Sequence, residues 1–331
     1  LLFLFCAPLL ADSAYDDWKR EHHKDFARFR QDVERRWRDF QESTDHVWVR
    51  YGHDGNSYSS VNFGTGKVTV AVIVEHHYTS RTNPDLDRAL GDLLMEPDSD
   101  GKPLLAGQIT YEDQVFNGNR TSFNLRDAIA HPDTTKITGQ DGRERTVLSV
   151  NLSLVPNHVE IRAKRYEAMI EDELKGSSVP KALVMAMIHR ESLFNPRAFN
   201  DKSGAVGLMQ IVPPASGRFM NKRLNGIDAE PGPDQLLDPR TNLRYGIGYL
   251  SYLYDEVFAG IENSRTRLLC VEAGYRFGSG AVSRSIPDYP GEAAHWHPLE
   301  MDRHLRRVFN QPEQVKYFDD VANLVQNYGG Y

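Results

Sequence analysis

The chemistry-bearing stretch with the most internal logic is His189-Arg190-Glu191-Ser192-Leu193-Phe194-Asn195-Pro196. On a helix, Glu191 has Ile188, Met187 and Val184 at i−3, i−4 and i−7, so the carboxylate shares an inward-looking face with three apolar side chains. An apolar setting penalises the charged form, raises the pKa and lets the group hold a proton near neutral pH, as a general acid must. The competing reading is a structural glutamate paired with Arg190 or Arg197. Pro196 disfavours helical geometry at Asn195, so the helix must stop just beyond Glu191. Gly204-Ala205-Val206-Gly207 then allows a tight turn and a close backbone approach, and Leu208-Met209-Gln210-Ile211 supplies an apolar wall with one amide.

Taken together, Glu191-Ser192, Asn195-Pro196, Ala198, Gly204-Ala205 and Gly207-Leu208-Met209-Gln210 resemble the signature of lytic transglycosylases of the goose-type lysozyme-like group. The resemblance extends more loosely to Leu154-Val155-Pro156-Asn157-His158 and to the Arg88–Met95 segment, which are similar to a membrane-bound branch of that family. It implies an all-α lysozyme-like domain that cuts peptidoglycan glycan strands with Glu191 as the catalytic residue. The implied reaction needs one carboxyl group. Glu191 protonates the oxygen joining N-acetylmuramic acid to N-acetylglucosamine, then accepts the proton of the muramic C6 hydroxyl, which closes on C1 as a 1,6-anhydro end. A hydrolase needs a second carboxyl, at about 5–5.5 Å if retaining or about 6.5–9.5 Å if inverting. Asp201, Asp228 and Asp234 are the candidates for that partner.

The resemblance also implies substrate-binding positions. Gln210 borders the cleft and Met209 adjoins it as apolar wall, with loop packing as the competing explanation for both. Ser192 follows the acid, to hold its carboxylate or cap the helix end. Asn200 stands where the family usually has a serine that contacts the sugar N-acetyl group, and its amide still donates a hydrogen bond. Gly274-Tyr275-Arg276-Phe277-Gly278 aligns with a segment usually reading Ala-Tyr-Asn-Gly-Gly, so Tyr275 is expected near the glutamate. Arg276 and Phe277 replace small and neutral residues, and an arginine aimed at Glu191 lowers the acid's pKa. Tyr317 falls at a second cleft tyrosine, with core packing as the alternative.

The elements that must position these residues divide at about residue 155. Alternating valines at Val68, Val70, Val72 and Val74 follow the Gly64–Lys67 turn and the Tyr58–Phe63 segment, which predicts an antiparallel hairpin running to His77. Asn83-Pro84 opens a helix to about Met95, Arg145–Val155 returns to strand alternation, and apolar spacing over Tyr15–Glu42 predicts a long amphipathic helix. Leu104–Asn119 is ambiguous and Arg120–Ala130 weakly helical. Helices are expected at Val159–Leu174, Val179–Ser192 with Ser177 or Ser178 as N-cap, Pro214–Met220, Arg240–Val257, Arg265–Arg276 and Glu313–Gln326. The expected organisation is a secretory remnant at 1–13, an α+β N-terminal domain at 14–155 and an all-α lysozyme-like domain at 156–331.

The chain of 331 residues carries a formal charge of −7, which argues against nucleic acid as the main partner. Leu1–Leu10 is almost wholly apolar and Ala11-Asp12-Ser13 offers small residues at a cleavage spacing, so an exported, periplasmic protein is expected. Cys6 adds the option of a lipid anchor tethering it to the outer membrane. The other cysteine, Cys270, lies in an apolar run. His295 and His297 beside Glu292 are the one metal-like grouping, with no second cluster to complete a shell. No metal and no cofactor are implied. Three functions remain open: transglycosylase, hydrolytic muramidase, and a non-catalytic peptidoglycan-binding protein in which Arg276 has disabled the acid.

Overall fold

The computed structural model describes residues 27–74, 83–200, 203–289 and 291–330. The expected leader, Cys6, Asp201 and the last residues of the expected hairpin, to His77, lie outside them.

The first part is an α+β unit. Helix α1 covers residues 27–36, followed by β1 Val47–Tyr51, β2 Ser57–Asn62 and β3 Lys67–Val74. Next come α2 Pro84–Leu94, β4 Ile109–Tyr111, β5 Gln114–Val115, α3 Arg126–Ala130, β6 Asp133–Thr138 and β7 Glu144–Leu154. The sheet is antiparallel with order β1-β2-β3-β7-β4-β5, and β6 also pairs with β7. Val68, Val70 and Val72 stand opposite Leu152, Val150 and Leu148, so both central strands send the same alternate residues into one core beneath α2. Asn83 Oδ1 caps α2 by accepting the amides of Asp85 and Leu86.

The other sheet face receives Val33 and Trp37, which pack on Ala71, Ile73 and Val147. The expected long helix ends at residue 36, because Trp37 Nε1 donates to the Gly55 carbonyl at 2.8 Å and Phe40 stacks on Tyr51 at 5.1 Å. Tertiary contacts thus take over from helical spacing for the last aromatics. Strand β6, Asp-Thr-Thr-Lys-Ile-Thr, is almost wholly exposed and carries no apolar alternation to read.

The second part is helical: α4 His158–Glu173, α5 Lys181–Ser192, a small hairpin of β8 Phe199–Asn200 and β9 Ala205–Val206, and a π-helical turn Pro213–Gly217 leading into α6 Arg218–Asn225. Then follow α7 Pro233–Leu237, α8 Pro239–Tyr252, a second π-helical turn Leu253–Val257, α9 Ser264–Phe277, α10 Ser279–Ser285, α11 Pro298–Val308 and α12 Pro312–Asn327. Helix α5 is the axis of this domain. Every residue from Ala182 to Ile188 is buried, and α4 and α12 pack against it. No side chain caps it: Pro180 occupies the N-cap position with ψ 138°, and Ser177, three residues before it, accepts the Val179 amide on Oγ. Among the described residues no helix is long and apolar enough to cross a membrane.

Candidate active site

Helix α5 ends in two consecutive left-handed residues, Leu193 at φ 52° and Phe194 at φ 58°. Neither is glycine, and each such residue costs about 1–3 kcal/mol, which tertiary contacts must offset. Phe194 is fully buried against the rings of His189 and Tyr328, at 6.0 and 6.3 Å, and this anchors the turn. The chain then doubles back. Asn195, fully buried, donates its amide to the Ser192 carbonyl and accepts the Arg197 amide on Oδ1. Pro196 therefore stops the helix where the sequence places the stop.

The glycine loop closes over this helix end. Gly207 has φ 76°, and a Cβ there would meet Asn242 Nδ2 at 2.2 Å and the Leu236 carbonyl at 2.5 Å, so only glycine fits. The fully buried Asn242 uses its whole amide on the loop. Its Oδ1 accepts the Met209 amide, and its Nδ2 donates to the Val206 and Leu236 carbonyls, all at 2.8 Å. Tyr275 donates its hydroxyl proton to the Met209 carbonyl at 2.6 Å, and a Cβ on Gly246 would sit 2.2 Å from Met209 Sδ. Met209 is thus gripped on three sides. Gln210, at φ 49° and 8% exposed, donates Nε2 to the Gly207 carbonyl.

Glu191 faces this assembly and is 5% exposed. Its Oε1 has no hydrogen-bond partner among the described residues, and its Oε2 lies 3.5 Å from Arg276 Nη1. Burial raises its pKa above the ordinary value, while Arg276 first, then Arg190 and a Tyr317 hydrogen bond, pull it down; Asp45 adds a small push upward. The net shift is upward. Arg190 instead pairs with Asp320, Nε to Oδ2 at 3.0 Å, and Arg197 with Glu96 at 3.2 Å, so neither arginine forms an ion pair with Glu191. Tyr317 is 1% exposed, with Arg276 and Arg190 over its ring at 5.5 and 5.4 Å and its hydroxyl 3.3 Å from Met187 Sδ. Phe277 stacks on Phe309 at 4.6 Å, so the bulky replacement points into the core.

Tyr275 and Tyr317 both lie in the electrostatic reach of Glu191, which with burial holds their hydroxyls well above the usual range. Met209 and Gln210 sit on the same loop. Ser192 is turned away. Fully buried, it donates to the Leu208 carbonyl at 2.7 Å, so it ties helix to loop instead of holding the carboxylate. Asn200 accepts the Ser203 amide on Oδ1 at the root of the hairpin. Asp228 pairs with Arg218 and Lys222, while Asp234 lines a separate cavity of about 280 Å³ with Asp98 and Arg197. His295 pairs with Glu262 and His297 caps α11 by accepting the Leu299 amide, so the two imidazoles serve different elements.

Three residues of consequence were not legible. Asn242 and Arg162 have no motif around them. Glu272, 2% exposed with Oε1 unpartnered, is a second buried acid whose pKa burial pushes well above the ordinary range, against a lowering by Arg306. It affects Tyr317, as Glu191 does.

Residues 168–295 match the family described as Transglycosylase SLT domain. Among curated proteins, the chain is similar to membrane-bound lytic murein transglycosylase C of Actinobacillus succinogenes, 28% identical over 341 aligned residues that cover 95% of this chain and 89% of the relative. The protein of the same name from Sodalis glossinidius is 27% identical, covering 85% and 82%. Among solved structures, the 70 kDa soluble lytic transglycosylase SLT70 of Escherichia coli aligns with TM-score 0.40 and 26% identity over 52% of this chain and 25% of that one, so the match spans about a quarter of that protein. Residues 168–295 thus match the transglycosylase SLT domain, and the chain as a whole is similar to the membrane-bound lytic murein transglycosylases C.

Proposed function

We propose that the chain is a peptidoglycan lytic transglycosylase that cleaves the β-1,4 bond between N-acetylmuramic acid and N-acetylglucosamine and leaves 1,6-anhydromuramic ends. The observation that carries this reading is the buried Glu191, whose desolvation outweighs the nearby arginine and raises its pKa, the direction a general acid needs. Its two oxygens face different settings. Oε2 looks toward Arg276, whereas Oε1 is closed off from solvent and has no hydrogen-bond partner among the described residues, so donation from Oε1 to a glycosidic oxygen requires the side chains around it to open toward the substrate.

Once the proton has left, the carboxylate is the strained state. Arg276 at 3.5 Å then stabilises it enough to persist, while burial keeps it basic enough to take the proton from the muramic C6 hydroxyl. The hydroxyl oxygen forms its bond to C1 as the leaving oxygen departs with the first proton, so the proton count balances on one residue. An intramolecular nucleophile also avoids the entropy of holding a water. Met209 and Gln210, clamped by Asn242 and Tyr275, supply the cleft wall, and Tyr317 lies beside the acid with its hydroxyl on Met187 Sδ.

We assign the protein to the periplasm, with attachment to a membrane in keeping with the membrane-bound relatives. Digestion of purified sacculi tests the reaction. Muropeptides lighter by one water than hydrolysis products support it, reducing ends would indicate a muramidase, and intact sacculi would indicate a binding protein.

A further inference from the structure

The turn that follows Glu191 is held from outside the helical domain. His46 Nε2, just before β1, lies 3.3 Å from the Arg190 carbonyl. Arg197 donates to the Pro97 carbonyl at 3.0 Å beside its ion pair with Glu96. Between them lies Arg162 of α4, 1% exposed. Its Nε donates to the Leu193 carbonyl at 2.9 Å, its Nη1 to Gln108 Oε1 at 2.7 Å, and its Nη2 to His158 Nδ1 at 3.0 Å, with the guanidinium over the Phe63 ring at 4.4 Å.

All three acceptors are neutral. Burying a guanidinium without a counter-charge is unfavourable, and an apolar side chain would fill the same space at lower cost. What an apolar residue cannot do is fix three acceptors in one plane, which the rigid fork of arginine does. One of those acceptors matters for chemistry. Leu193 is left-handed, two residues after Glu191, and its carbonyl is among the helix-terminal groups that need a partner from elsewhere.

We propose that Arg162 is a positioning residue for Glu191, transmitting the hold of the N-terminal sheet domain, through Gln108, to the left-handed turn that ends the catalytic helix. This rests on Glu191 being the acid. It makes the N-terminal domain part of the machinery that aims the carboxyl. The bland alternative is that Arg162 merely docks the two domains. Arg165, nearly one turn further along α4, provides the contrast: it donates to the Leu104 carbonyl at 2.7 Å and lies 3.7 Å from Asp98, so among the described residues it docks the domains without a bond to residues 190–197.

The test uses the full chain with Arg162→Met, Arg162→Lys, Gln108→Leu and Arg165→Met. Rates are measured on a soluble peptidoglycan oligosaccharide, alongside thermal melting and hydrogen exchange over residues 190–197. Arg162→Met should lower kcat about tenfold with KM unchanged and speed exchange at 193–195. Arg162→Lys should recover part of both. Arg165→Met should lower the melting temperature while leaving kcat and that exchange as in the parent. Parent-like kcat and exchange in Arg162→Met, or equal losses in Arg165→Met, would overturn the proposal. If Arg162→Met does not fold, Gln108→Leu carries the same two expectations. A parent chain that releases no anhydro product would defeat the functional reading alone, and the exchange arm would still judge Arg162.

Discussion

Arg276 Nη1 stands 3.5 Å from Glu191 Oε2, yet the carboxyl keeps a raised pKa. The two partners differ in solvation. The Arg276 side chain is 47% exposed, so water screens its charge, whereas the Glu191 side chain is 6% exposed and bears the full desolvation. An arginine that looks inhibitory in the sequence is therefore compatible with a raised carboxyl pKa.

The first prediction follows from that balance. Cleavage needs protonated Glu191, so activity falls as pH rises through its pKa. Arg276 lowers that pKa, so Arg276→Asn should raise it and move the falling limb of the kcat/KM profile to higher pH. A limb that stays in place, or moves to lower pH, would show that Arg276 does not act on Glu191.

Glu191→Gln should cut muropeptide release by about 10²- to 10⁴-fold, the usual range for losing a general acid. Folding should survive because the amide is nearly isosteric. Glu191 has a folded-state pKa raised above its ordinary 4.5, so the stability it contributes is complete below that value and is lost as pH rises through the folded pKa. The variant's melting temperature should therefore gain on the parent as pH rises, and a gap independent of pH would contradict the buried-acid reading.

Gly207→Ala should destabilise the chain by roughly 3 kcal/mol, combining left-handed strain with overpacking against Asn242 and Leu236. Asn242→Ala should cost a similar amount, about 2–4 kcal/mol, by leaving Val206, Leu236 and Met209 backbone groups unsatisfied. Urea unfolding measures both. Because the two residues hold one loop, the double variant should lose less than the sum of the singles.

The burial of Glu191 was legible because helical periodicity records which face a residue shares, while its expected role as the acid came from the resemblance carried by Glu191–Gln210, and Pro196 marks the stop by local sterics alone. Asn242 and Arg162 were not legible for the converse reason. A polar residue on a charge-rich helix reads as solvated, and α4 looks that way from end to end, yet Arg162 faces Gln108 of a different domain 54 residues earlier. Only tertiary structure can turn such a residue inward. Ser192 was expected either at the carboxylate or at the helix end, and its hydroxyl meets the Ile188 carbonyl at the helix end and the Leu208 carbonyl of the loop.

Two histidines should make the protein acid-sensitive. Burial, then the charge of Arg162, lowers both His158 and His189 from 6.5 to about 4. A depressed folded-state pKa gives stability that is complete above the unfolded value and is lost as pH falls through the folded one, so the melting temperature should drop between pH 6.5 and about 4. His158 matters most to the site, because its Nδ1 accepts from Arg162 Nη2 at 3.0 Å and protonation would set two cations face to face. His158→Gln keeps an acceptor that does not titrate in this range. Its melting temperature should fall less steeply over that window, with His189 accounting for part of what remains. Calorimetry across a pH series measures this directly, and a slope equal to the parent's would show that His158 is not neutral in the fold.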